Sequence, residues 1–507
     1  MLQVRTSRRS RRQKSVNWEE NAPAYLTRKI PTYELLGEES LDQIENQTEW
    51  LLSEIGLEIR GDEIALNLFR DAGATVDGER IRFDRGHVKA LCSTAPKTYT
   101  MHARNPAKNI EFGGDHLILG PAYGSPFVSD LKGGRRYGTV EDFQNFIKLT
   151  YLTPHLHHQS GTICEPVDVA VNKRHLDMVY AHLRYSDKPF MGSVTAPERA
   201  EDSLAMARIV FGNDFMNKNM VIQSNINVNS PLVYDDVMTG ALRTYAAANQ
   251  GNVISPFILG GAMSPVTQPA LIAQAHAEAM VGIALTQLVR PGAPVVYGSF
   301  LTTMDLKTGA PTFGTPESSL ATMAISQLCR RLGLPFRCGG HLTASKIADA
   351  QAMQESVDTM NPAIMAGANF IFQSAGWLEG GLTIGYEKFV MDADRCGAIA
   401  RMVEGLTLDE NQLAKDAYEE AGIGNNFLGV GHTMRHYKTA NYRAALADTS
   451  SFEQWTDDGG KDMQKRAYER WTKMLREYKA PPFDPAVDEA LLEFIAKKKA
   501  SMDDAWY

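Results

Sequence analysis

The stretch LPFRCGGHLTASKIADAQAMQESVDTMNPAIMAGANFIFQSAGWL (334–378) decides the fold. It opens on a short apolar run that breaks into small and polar residues at 339–341. An amphipathic stretch of helical length follows at 349–368, and a second apolar run, FIFQSAGWL, closes it. Run, helix, run is the pattern of two parallel strands joined by a crossover helix. Working outward, the same apolar runs recur at LILGPAYG (117–124), HLHHQSGT (155–162), PFMGSVT (189–195), VIQSNIN (221–227), VISPFILGG (253–261) and PVVYGSF (294–300). Helical stretches separate them, among them VEDFQNFIKLTYL (140–152), APERAEDSLAMARIVFG (196–212) and PESSLATMAISQLCRRLG (316–333). Eight such units predict an α/β chain folded as a closed (β/α)8, or TIM, barrel. An open doubly wound sheet is the alternative. Against it, no G-x-G-x-x-G follows the first run, and about eight equal units favour closure.

The barrel is expected over 117–404. Residues 1–35 read as a basic arm, RRSRR included, broken by Pro23 and Pro31. Residues 36–116 read as an α+β lead-in. Its first helix stops at Gly56, its second at Gly73, and Asp77-Gly78 is a tight hairpin turn. Residues 405–507 read as a helical C-terminal tail packed on the barrel or on a partner.

With 507 residues, 44% of them hydrophobic, 22% charged and a net charge of −8, this is the composition of a soluble globular protein. The acidic balance argues against nucleic acid or membrane surfaces as partners. No apolar run reaches the roughly 18–20 residues that span a bilayer, and no secretory signal opens the chain. The five cysteines form no C-x-x-C pair, and their odd number suggests a reducing cytoplasm and no structural zinc.

In a barrel the residues just past each strand converge on one mouth. Here those positions are rich in Gly, Ser, Asn and aromatic residues. Tyr123, Phe127, Tyr297, Phe300, Phe313, Trp377 and Tyr386 could cage a cation, although each ring could equally pack under a loop. Glu165 and Glu355 could supply negative charge; Asp305, Glu317 and Glu379 are further acidic candidates, Glu317 looking more like a first-turn helix residue. Arg337 and His341 flank Gly339-Gly340 and could hold a substrate carboxylate. The small residues Gly260, Gly261, Gly339 and Gly340 would let a cofactor approach the backbone. Lys346 could form a Schiff base in a barrel lyase. His155, His157 and His158 invite a metal reading, but no matched carboxylate or cysteine spacing accompanies them, and no metal is expected.

The segments LLSEIGLEI, LFRDAGATVDGERIRF, APKTYTMHARNP, PGAPVVYGSF, GTPE, LPFRCGGHLTASKIADAQAMQES, AGANFIFQSAGWL and FLGVGHTMRHY occur in that order. Together they resemble the trimethylamine methyltransferase family over almost the whole chain. The resemblance implies a (β/α)8 enzyme that takes a methyl group from a methylated amine. The acceptor it implies is the Co(I) of a corrinoid carried by a separate protein, with no cofactor tightly bound to this chain. The archaeal trimethylamine enzymes of the family carry pyrrolysine; this chain has only standard residues. It is therefore similar to the members lacking pyrrolysine, some of which act on quaternary amines such as glycine betaine. Position at the strand ends puts the expected substrate site at Tyr123, Glu165, Tyr297, Phe300, Arg337, His341, Glu355 and Trp377, and a homo-oligomer is expected. Demethylation of trimethylamine, a non-catalytic betaine-binding protein and a Lys346-dependent lyase are the other readings.

Overall fold

The structure is a computed structural model that describes residues 23–506. Seven parallel strands build the barrel wall: β1 (His116–Leu119), β2 (Phe190–Met191), β3 (Ile222–Val228), β4 (Gly251–Gly260), β5 (Val295–Gly298), β6 (Phe336–Gly339) and β7 (Phe370–Phe372). Their order is β1-β7-β6-β5-β4-β3-β2, every step parallel. The expected strand at 155–162 is not a regular strand, yet it fills the gap between β2 and β1. His157 N–H donates to Leu119 O (2.8 Å), Gln159 N–H to Pro189 O (2.8 Å), and Met191 N–H to Ser160 O (2.9 Å). Side chains compete for its backbone: His158 Nδ1 accepts from Ser160 N–H (2.8 Å), and Ser160 has a left-handed φ of 57°. The barrel is therefore closed by seven strands and one irregular segment.

Eight helices surround it: α1 (Val140–Leu152), α2 (Arg174–Tyr185), α3 (Pro197–Phe211), α4 (Asp236–Ala247), α5 (Gln268–Val289), α6 (Pro316–Leu332), α7 (Ala350–Met365) and α8 (Tyr386–Val403). α3 and α6 start on prolines, whose missing N–H costs nothing in a first turn. α1 carries a capping box between Thr139 and Asp142. α5 is buried along nearly its whole length, because the lead-in helices Glu38–Trp50 and His87–Cys92 pack over it.

The lead-in reaches the barrel at two further places. The strand Leu57–Arg60 pairs with Val233–Asp235, just before α4. The hairpin of Tyr99–Met101 and Ile110–Phe112 plugs the N-terminal end of the barrel. There Met101, Ile110 and Phe112 join a cluster with the interior residues Ile118, Met191, Val253, Val296 and Phe370. Gly56 ends the first helix at φ 74°, and a Cβ there would lie 2.1 Å from Ile81 O, so only glycine fits.

Of the expected basic arm, residues 1–22 lie outside the described residues. Residues 23–35 run against the barrel base rather than into solvent. Leu26–Thr27 pairs antiparallel with β1, and the buried Arg28 meets Asp115 at 3.5 Å. In the C-terminal region the helix Met463–Glu477 lies on α8 and α1, with Trp471 stacked on Tyr386 at 4.5 Å. Pro485–Ala500 lies on α2 and α3, where Lys499 pairs with Asp177 (2.6 Å). No helix among the described residues is long and apolar enough to cross a membrane.

Lys188 fastens the irregular segment. Its buried ammonium donates to Thr150 O (2.8 Å), Thr153 O (2.8 Å) and Leu156 O (2.6 Å). Burial pulls its pKa down, but three carbonyls use all three N–H groups of the charged form. Lys188→Met should lower stability by about 3 kcal/mol, since it takes the donor from three carbonyls at once. Urea unfolding checks this; an unchanged midpoint would contradict it.

Candidate active site

The C-terminal mouth carries a continuous arc of rings with a cation set into it. The Arg337 guanidinium, on β6, lies over the Phe372 ring at 4.1 Å and the Phe300 ring at 5.4 Å. Phe372 faces Tyr123 at 6.0 Å. On the other side Phe300 meets Phe257 (5.5 Å), Phe313 (5.4 Å) and Trp377 (5.7 Å), and Phe313 meets Trp377 at 5.6 Å. Strand alternation puts these side chains together: Phe257 shares the inward face of β4 with Val253, and Phe372 that of β7 with Phe370. Phe300 opens the strand Phe300–Thr303, which runs beside Phe257–Gly260 and raises the wall above the barrel. Trp377 belongs to a small sheet over the mouth made with Thr383–Gly385, Phe127–Asp130 and Gly134–Tyr137.

Arg337 is 3% exposed, and among the described residues no carboxylate pairs with it. Its bonds are long, to Ser299 O (3.5 Å) and Gln373 Oε1 (3.4 Å), and its Nε–H has no partner. Burial lowers its pKa to about 10, which still leaves it charged at neutral pH. The buried Trp377 Nε1–H is likewise without an acceptor. Two buried donors, one of them on a cation, are thus left without an acceptor. Tyr123 borders the same space. Burial, aided by the Glu165 charge, pushes its pKa up to about 12, so it stays neutral.

The structure brings together Tyr123, Phe300, Arg337 and Trp377, with Phe313. It places the other expected residues elsewhere. Tyr297 is one residue out of phase with the inward face of β5, and its hydroxyl meets His276 Nδ1 of α5 at 2.9 Å. Glu165 pairs with Arg174. Glu355 accepts from Thr343 Oγ1 (2.5 Å) and Ala344 N–H (2.9 Å), tying down the loop after β6. His341 is fully buried, bonded through Nδ1 to Ser374 O (2.8 Å) and set 3.9 Å from Asp392, itself paired with Lys388. Burial lowers its pKa to about 4, so it is neutral and no anchor for a carboxylate.

The glycines are packing positions. A Cβ on Gly339 would come within 2.8 Å of Phe300 and Leu342, so its absence seats the Phe300 ring. One on Gly340 would strike Ile371 at 2.7 Å, and one on Gly260 would strike Leu271 at 2.9 Å; Gly261 supplies a turn at φ 96° beside Leu306. Phe127 and Glu379 are held by Arg135, and Tyr386 lies in the helix layer against Phe146 at 4.3 Å. Asp305 closes its own exposed turn through Lys307 N–H (2.9 Å). Lys346 is exposed and bonded to Ala344 O (2.9 Å) within its own loop. His157 and His158 each accept a backbone N–H. Among the described residues no group of three histidines, cysteines or acids could hold a metal ion.

Sequence reasoning missed Phe257, Phe372 and Gln373. The signal for the rings was available: both keep the alternating parity of inward residues already identified on their strands. Gln373 carried none, because it faces Arg337 from a residue with a left-handed φ of 53°.

The family model for trimethylamine methyltransferase (MTTB) matches residues 3–503. The chain belongs to the trimethylamine methyltransferase family. It is 39% identical over 470 residues to the glycine betaine methyltransferase of Desulfitobacterium hafniense (strain Y51), covering 92% of this chain and 98% of that protein. To the trimethylamine methyltransferase MttB of D. hafniense (strain DSM 10664 / DCB-2) it is 28% identical over 474 residues, 90% of this chain and 92% of that one. The MttB of Methanosarcina barkeri matches over 246 residues at 35% identity, 48% of this chain and 49% of that one. This family member is a methyltransferase, and the ring arc with its unpaired arginine is its candidate active site.

Proposed function

We propose that this methyltransferase moves a methyl group from a carboxylate-bearing quaternary amine, of the glycine betaine type, to the Co(I) of a corrinoid on a separate protein. The observation that carries the substrate class is Arg337: a buried cation among rings, with no carboxylate partner among the described residues and an unbonded Nε–H. A simple cation such as tetramethylammonium or protonated trimethylamine would sit beside an uncompensated guanidinium. At 5–6 Å and an effective dielectric near 20, that repulsion is about 3 kcal/mol. A betaine brings its own carboxylate. Bound to Arg337, it cancels the charge and leaves the trimethylammonium end to the rings, each worth about 0.5–2 kcal/mol.

The chemistry asks little more of the protein. The quaternary nitrogen is already charged, so the electron pair of the breaking C–N bond stays on nitrogen and a neutral tertiary amine leaves. No proton has to be supplied, which suits a site whose Tyr123 and Arg337 both hold their protons well above neutral pH. Co(I) supplies the nucleophile that attacks the methyl carbon in line. The residues orient one N-methyl group toward the open end of the barrel and keep water from the cation.

Isothermal titration tests this. Glycine betaine should bind at least tenfold more tightly than tetramethylammonium, the smaller part of the charge term above. Equal or reversed affinities would overturn the substrate class.

A further inference from the structure

We infer that Gln373 sets the charge preference of this site: by facing Arg337 with a neutral amide, it reserves the mouth for zwitterions and turns away plain cations. This rests on the reading above and adds a residue to it. Gln373 follows β7 and is 3% exposed. Its backbone is fixed from two sides: its N–H donates to Pro121 O (3.2 Å) past β1, and its carbonyl accepts from His341 N–H (3.0 Å) past β6. Its φ of 53° turns the side chain so that Oε1 lies 3.4 Å from an Arg337 terminal nitrogen.

Four acids that sequence position brings near the mouth are already committed. Glu165 is taken by Arg174, Glu379 by Arg135, Glu355 by the loop after β6, and Asp392 by Lys388. Gln373 is therefore the position from which a carboxylate would reach the guanidinium without moving backbone. A glutamate there has the same length and shape, and beside Arg337 it would be ionised. The pair would then be neutral before any ligand arrived. A betaine carboxylate would meet a satisfied arginine and a like charge. A monocation would meet rings with no net repulsion.

The test is isothermal titration of three proteins, wild type, Gln373→Glu and Gln373→Leu, with glycine betaine and with tetramethylammonium, thermal melts confirming folding. Gln373→Glu should lose at least about tenfold in betaine affinity and gain about tenfold for tetramethylammonium, inverting the preference. Gln373→Leu removes the weak bond without adding charge, so it should shift betaine affinity by less than about fivefold and keep the wild-type order. A change of packing alone would weaken both ligands together. If wild type prefers betaine but folded Gln373→Glu keeps that preference, the role given to Gln373 is wrong. If Gln373→Glu does not fold, a Gln373→Leu protein whose preference is already inverted overturns it. If wild type itself shows no preference for betaine, the substrate class fails instead.

Discussion

Arg337→Gln should weaken glycine betaine binding about a hundredfold, because a desolvated charge-assisted contact of this kind is worth about 2–5 kcal/mol. Tetramethylammonium should not suffer, and should bind better once the guanidinium is gone. Opposite signs for two ligands in one variant are hard to produce by damage to the fold. They follow from one fact of geometry, that the arginine lies 4.1 Å and 5.4 Å from two rings and has no carboxylate partner among the described residues. Titration of the folded variant with both ligands reads the result. Parallel weakening of both would mean that Arg337 only holds the rings in place.

The second large effect is loss of stability in mild acid. His182, His276 and His341 are buried, and burial holds each pKa down to about 4. In the unfolded chain they titrate near 6.5. Between these values the unfolded state binds protons that the folded state refuses, so stability falls as pH drops from about 6.5 toward 4 and is unaffected above that window. At pH 5.5 each histidine costs about 1.4 kcal/mol, about 4 kcal/mol for the three, which for a chain this long is a fall in Tm of about 4 °C. His157 and His158, also held down by burial, add to the trend. Melting curves at pH 7.5, 6.5 and 5.5 should show little change over the first step and the drop over the second. A flat profile down to pH 5 would contradict the burial of these rings.

The barrel was legible because strand and helix periods alternate along the chain. The segment at 155–162 was read as a strand because it falls in its place among the eight recurring units; the bonds its histidines make to the backbone are invisible in that rhythm. At the site, position along the chain was enough to find Phe300 and Trp377, which follow β5 and β7, and Arg337, which lies within β6. Strand parity would have removed Tyr297, whose hydroxyl points outward to His276, and added Phe257 and Phe372. The fates of Glu165 and Glu355 were not readable, since Arg174 lies in the following helix and Ala344 N–H in a loop of irregular shape. An acid in the right loop suggests a counter-charge; only the structure shows that it is already spent.

The central claim is methyl transfer from a betaine. Its most direct measurement mixes the purified chain with Co(I) cobalamin and follows the absorbance of the cobalt with glycine betaine, trimethylamine and tetramethylammonium as donors. The account predicts methylation of cobalt with glycine betaine, with dimethylglycine formed in equal amount, and little or none with the other two. Transfer from trimethylamine or tetramethylammonium, with none from glycine betaine, would contradict it.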